Sequence, residues 1–208
     1  MSRAAIVNTI TFARVPLIFA WLALAVLGEF RPGNFWLPVG ACAMMLFSGL
    51  TDLYDGRLAR RWQVVSTLGK MADPLMDKVF YLVAFPALLW QVCHQGGNGA
   101  HELIMLSFTV LYLLRDTWVT FLRSVGTLYS ADVSAMWLGK VRTALSFPGA
   151  GWVYLYLAFR QFAPASWDRP WLWTCYAVEL LLTVLTLVSM VTYTKAYLPY
   201  LKKALARH

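Results

Sequence analysis

The sequence predicts an all-α polytopic membrane protein of about six transmembrane helices, with an N-terminal helix lying along the membrane interface. Three observations predict it. Of the 208 residues, 60% are hydrophobic and 13% charged, about half the charged share of a soluble domain, and the mean hydropathy is +0.58. The apolar residues fall into runs that approach the roughly 20 needed to cross a bilayer as helix. Ten tryptophans and ten tyrosines suit aromatic belts at the two interfaces. The length leaves room for six spans with short loops, so residues 1–208 are expected to form a single domain.

In chain order, residues 1–12 are mildly amphipathic and are expected on the membrane surface. A first span runs from Pro16 to Leu27, extending back to Ile10, and Gly28 to Asn34 forms a turn. Arg3 followed by an apolar run could pass for a signal peptide, but Arg14 interrupts it and more spans follow, so an uncleaved first helix is expected. The second span begins near Phe35, with Pro38 tolerated in its first turn. The third begins near Gly69, with Pro74 placed to kink it. Gln91 to His101 contains three glycines and reads as a loop; His94 and His101 are expected there as solvated side chains. The fourth span covers Leu103 to Phe121, the fifth Leu138 to Phe159 and the sixth Trp171 to Tyr193. The basic tail, Lys195 to His208, has the look of a surface helix. Cys42, Cys93 and Cys175 show neither metal nor disulfide spacing.

Net charge is +8. In so apolar a chain this points to anionic lipid and to an orientation signal, with no nucleic-acid partner. If the loop after the second span is cytoplasmic, only Arg31, Arg160 and Arg169 among the 18 lysines and arginines fall outside. That positive-inside bias places the active side on the cytoplasm.

One stretch, Asp52 to Asp77, holds four of the ten acidic residues: Asp52, Asp55, Asp73 and Asp77. Spacings of three and four put each pair on one helix face. The basic segment Arg57 to Lys70 is expected to turn between two helices and bring the pairs together. A single pair would pass for a solvated helix end. Two pairs in register, beside Gly56, Ala59 and Gly69, repel one another and are costly near a bilayer. Arg60, Arg61 and Lys78 are the nearby cations, but an all-oxygen cluster suits a hard divalent ion such as Mg²⁺, Mn²⁺ or Ca²⁺. Asn8, Thr11 and Arg14 recur every three residues, as a polar stripe with an interfacial anchor or as part of a site.

The residues Asp52, Asp55, Gly56, Ala59, Arg60, Gly69, Asp73 and Asp77 fill every fixed position of D-x-x-D-G-x-x-A-R-x₈-G-x-x-x-D-x-x-x-D. The stretch therefore resembles the signature of the CDP-alcohol phosphotransferase family. The Asn8, Thr11, Arg14 pattern is similar to that family's N-terminal segment, which approaches the nucleotide.

Arg115, Arg123, Lys140 and Arg142 make a second, positive constellation around the loop joining spans four and five. Snorkelling to headgroups accounts for any one of them, less well for Arg115 several residues inside its span. Guanidinium groups bind phosphate bidentately. The stretches LLRDTWVTFLRSVG and WLGKVRTALS are similar to the phosphatidylglycerophosphate synthase branch of the family. Asp116, Phe121 and Ser146 stand where that branch usually has Glu, Gly and Gln.

The resemblance implies transfer of the phosphatidyl group of CDP-diacylglycerol to glycerol 3-phosphate, giving phosphatidylglycerophosphate and CMP, in an integral protein of the bacterial inner membrane, expected as a homodimer. Asp52, Asp55, Asp73 and Asp77 would hold Mg²⁺ or Mn²⁺, expected as two ions, with Asp77 also the general base. Asn8, Thr11, Asp52, Asp55, Gly56, Ala59, Arg60 and Gly69 would bind the CDP moiety, and Arg115, Arg123, Lys140 and Arg142 the acceptor phosphate. Inositol phosphate, or phosphatidylglycerol as in cardiolipin synthesis, is the alternative acceptor. A membrane prenyltransferase would place its two Asp motifs on distant helices. A divalent-cation transporter would be hindered by the arginine constellation.

Overall fold

The computed structural model describes residues 3–63, 67–96, 99–129 and 136–206; side chains at 4, 67–74 and 77 lie outside that description. Among the described residues the chain is all-helical: α1 (Arg3–Phe30), α2 (Trp36–Trp62), α3 (Thr67–His94), α4 (Gly99–Leu128), α5 (Trp137–Phe159) and α6 (Ala165–Leu205), with a short 3-10 turn at Arg160–Phe162. Four of these, α1 from Ala5, α2, α4 and α6, are long and apolar enough to cross a membrane, and α3 adds a shorter apolar stretch, Lys78–His94. The protein is thus a polytopic membrane protein. Helix α5 is not among the four; it carries Lys140 and Arg142 in its first turns.

Several boundaries differ from the sequence reading. The N-terminal segment is no separate surface helix, because α1 runs unbroken through Pro16. Its 28 residues make a rod of about 42 Å, enough to cross the hydrocarbon and continue into the headgroups. The basic turn is shorter than expected. Helix α2 continues to Trp62, where Gln63 adopts the left-handed conformation and its N–H reaches the Ala59 and Arg60 carbonyls. Arg60 and Arg61 occupy its last turn, where positive charge suits the negative end of the helix dipole.

The glycine-rich stretch also contracts, since α3 runs to His94 and α4 starts at Gly99. His94 is exposed and stacks on Trp90 with ring centroids 4.9 Å apart. His101 is not a solvated loop residue: it is buried on α4, with Nε2 2.9 Å from Glu179 Oε1. The basic tail is continuous with the last span, forming one helix of 41 residues. At about 61 Å it exceeds the roughly 40–45 Å bilayer thickness, and its last turn carries Lys202 and Lys203. The kink expected at Pro74 falls outside the described side chains.

Two compact units form. The first comprises Met1–Gly97 and Ala150–Arg169, the second Asn98–Gly149 and Pro170–His208. In the first, α1 packs on α2 and α3. The buried face of α1 reads Val7, Thr11, Arg14, Ile18, Trp21 and Ala25, the three-then-four spacing of a helix seam. Trp21 meets Tyr154 edge-on at 5.5 Å. At Glu29, one carboxylate oxygen accepts from both Gln91 and Gln95 at 2.9 Å. In the second unit, Val119, Leu122, Tyr193 and Tyr197 form a core joined by Trp118, Met136, Tyr200 and Leu201. Gly149 lets α5 approach α6 closely, since a Cβ there would lie 2.8 Å from Leu182.

Candidate active site

In the first unit, the two polar positions on the α1 seam meet the acidic end of α2. Arg14 is 3% exposed, and its Nη2 donates to Asp52 Oδ1 at 2.5 Å and to Asp55 Oδ2 at 3.3 Å. Thr11 Oγ1 donates to Asp55 Oδ2 at 2.8 Å. Asp55 is buried, whereas the side chain of Asp52 is about half exposed. The cation on Asp52 and Asp55 is Arg14, from a different helix and far from them in sequence. Its signal was a charge inside an apolar run, which demands a partner.

The Arg14 clamp engages Oδ1 of Asp52 and Oδ2 of Asp55. Among the described side chains, one guanidinium on two carboxylates leaves a negative surplus. Carboxylate oxygens with surplus negative charge fit a hard divalent cation. Among the described residues no three His, Cys, Asp or Glu side chains gather to hold a metal; the side chains of Asp73 and Asp77, the other two expected ligands, lie outside the description. Gly69 is likewise outside it. Asn8, Gly56 and Ala59 are half-buried, and Arg60 is exposed. A Cβ at Gly56 would lie 3.8 Å from Arg60 Nη2, ordinary contact distance, so packing against the described residues does not force glycine there.

The second unit holds the basic residues. Arg115 Nη1 and Arg142 Nη2 both donate to Asp116 Oδ1, at 2.9 and 2.5 Å. Arg115 Nη2 donates to Ser189 Oγ at 2.5 Å. The Arg142 guanidinium lies over the Tyr112 ring at 4.1 Å, and those of Arg115 and Arg123 lie against the Tyr193 ring at 5.1 and 5.5 Å. Arg123 Nη2 also donates to Tyr193 Oη at 3.1 Å. Lys140 is exposed. Asp116, noted from sequence only as a departure, is the carboxylate that joins two arginines. Ser146, another departure, is fully buried and donates to the Arg142 carbonyl at 2.8 Å. Phe121 is about half exposed. Ser189 and Tyr193 come from the last helix, where the sequence offered little that was specific.

Arg142 is 2% exposed, and its Nε and Nη1 have no hydrogen-bond partner among the described residues. Buried donors are nearly always satisfied, and these two are the candidate contacts for a bound anion.

Fold and site together define a class: a polytopic helical membrane protein with a clamped acidic helix end and a buried arginine cluster. Residues 4–192 match the model of the family described as CDP-alcohol phosphatidyltransferase. The chain belongs to that family, and is an enzyme of phospholipid synthesis. The family is one of metal-dependent phosphatidyltransferases, and it implies CDP-diacylglycerol as substrate. Among similar proteins, a cardiolipin synthase (CMP-forming) of Streptomyces coelicolor is 28% identical over 179 residues, covering 80% of this chain and 76% of that one. A CDP-diacylglycerol–glycerol-3-phosphate 3-phosphatidyltransferase of Escherichia coli K12 is 27% identical over 164 residues, covering 77% and 80%.

Proposed function

We propose that the enzyme transfers the phosphatidyl group of CDP-diacylglycerol to glycerol 3-phosphate on the cytoplasmic side of a bacterial inner membrane. The observation that carries the acceptor is the pair of unsatisfied donors on buried Arg142. Among the described residues, Arg115, Arg123 and Arg142 against Asp116 leave a surplus of two positive charges. A phosphate monoester, near −2 at neutral pH, matches that surplus better than a neutral alcohol, zwitterionic serine or a phosphodiester of charge −1.

Asp52, Asp55, Asp73 and Asp77 would hold the divalent metal, which we take as two Mg²⁺ or Mn²⁺ ions. Bound there, the metal supplies charge neutralisation along the pyrophosphate. Arg14 holds Asp52 and Asp55 in one orientation, so the carboxylates need not reorganise when substrate arrives. The acceptor hydroxyl oxygen forms a bond to the lipid-side phosphorus. The bond from that phosphorus to the CMP oxygen breaks, and the hydroxyl proton passes to Asp77. Gly56, Ala59 and Gly69 are small enough for the cytidine to approach backbone, with Asn8, Thr11 and Arg60 beside them in the nucleotide role.

A second reading, phosphatidylglycerol as acceptor, draws on the similarity to a protein named cardiolipin synthase. Product analysis separates the two. Purified enzyme in detergent micelles with CDP-diacylglycerol is offered labelled glycerol 3-phosphate or phosphatidylglycerol. The reading expects label in phosphatidylglycerophosphate with stoichiometric CMP. Cardiolipin from phosphatidylglycerol, with glycerol 3-phosphate inert, would overturn it.

A further inference from the structure

We propose that Tyr193, with Ser189 one turn before it on α6, is the positioning residue that sets the arginines for the acceptor phosphate; this rests on the acceptor reading above. Tyr193 is 1% exposed and Ser189 fully buried. Spaced by four, they lie on one face of α6. Tyr193 touches the cluster in four ways. Its Oη accepts from Arg123 Nη2 at 3.1 Å and from the Met136 backbone N–H at 2.9 Å. Its ring carries the guanidinium groups of Arg115 and Arg123. A single side chain thus ties two arginines of α4 to the residue that leads into α5, the helix bearing Arg142.

The ring is itself held. It stacks on Tyr197 at 6.4 Å with planes 12° apart and belongs to the apolar core with Val119 and Leu122. Ser189 fixes the far side of Arg115 through Nη2. Arginine side chains are long and entropically costly to immobilise, and a binding pocket made of them works only when their orientation is set beforehand. Tyr193 and Ser189 do that work without being needed for charge.

The same arrangement explains Gly139. A Cβ there would lie 2.9 Å from Tyr193 Oη and 3.3 Å from Arg115 Nη2. Any larger residue would push the tyrosine off the arginines, so Gly139 and Tyr193 are one device seen from two helices.

The test is steady-state CMP release by the full-length enzyme, varying glycerol 3-phosphate and CDP-diacylglycerol separately. Tyr193→Phe keeps the ring and removes the oxygen; Ser189→Ala releases Arg115 without touching the core. Each is expected to raise the acceptor KM about tenfold, the worth of one hydrogen bond to a charged group. The KM for CDP-diacylglycerol should hold, and each variant should stay folded with a lowered thermal midpoint, since each leaves a buried donor without its acceptor. Gly139→Ala should produce the same selective defect, and Gly139→Ala with Tyr193→Phe should cost less than the product of the singles, because the colliding oxygen is gone. Trp118→Phe is the structural comparison. It loses a 2.8 Å bond to Thr194 in the same helix contact but touches no arginine, and should leave the acceptor KM unchanged. If Arg123→Ala raises the acceptor KM while Tyr193→Phe and Ser189→Ala do not, the positioning role is wrong and the acceptor reading survives. If Arg123→Ala leaves it unchanged as well, both fall. Should Tyr193→Phe misfold, Ser189→Ala decides alone by the same criterion.

Discussion

The two charged clusters are built on the same plan with the signs exchanged. In the first unit two carboxylates, Asp52 and Asp55, share one guanidinium, Arg14. In the second, two guanidinium groups, Arg115 and Arg142, share one carboxylate, Asp116. Each minority charge orients its neighbours at short range and cancels only part of their charge. The surplus left behind is negative in one and positive in the other, and it states the sign of the ligand each would take. On the function proposed above, the first takes the cation and the second the acceptor phosphate.

Removing the carboxylates should have the largest effect. Asp52→Ala and Asp55→Ala are expected to lose nearly all turnover, and exhaustive chelation of the wild type should do the same, with recovery on adding Mg²⁺ or Mn²⁺. Activity that persists after chelation would break the account of the acidic cluster. Asp77→Asn is next. It keeps an oxygen but cannot take the proton, so kcat should fall about a hundredfold to ten-thousandfold with little change in CDP-diacylglycerol KM. Wild-type turnover would remove Asp77 as base.

Arg14→Met tests whether the minority charge orients or merely neutralises. Removing one partner of a fully buried pair costs about 3–5 kcal/mol. Asp52 is half exposed and re-hydrates, so a loss nearer about 2 kcal/mol is expected. It would be read from chemical unfolding in detergent, with added Mg²⁺ restoring part of it. A variant as stable as wild type would show that Arg14 is not the clamp. Lys140→Ala should have the smallest effect. Its ammonium is exposed and screened, and acceptor KM should rise by no more than about threefold. A larger rise would move the weight of the pocket from the buried arginines to the surface.

What the sequence made legible, and what it hid, follows from the range of the interactions. Apolar runs and the acidic signature are local, and both were readable along the chain. Partners distant in sequence were not. Arg14 lies 38 residues from Asp52, and Ser189 lies 74 from Arg115. His101 read as a loop residue because three glycines surround that region, yet Glu179, the lone acid within the last apolar run, was itself a sign that something must meet it. The unbroken α1 and α6 were misdivided because amphipathic and basic ends suggest new elements, whereas Pro16 and Pro199 sit within continuous helix.

The most direct measurement is the pair of Michaelis constants for Arg142→Ala beside those of the wild type. The account predicts a rise of about tenfold to a hundredfold in the KM for glycerol 3-phosphate, from the loss of a charge-assisted bond, with the CDP-diacylglycerol KM and the metal requirement unchanged. An unchanged acceptor KM, or an equal rise in both constants, would contradict it.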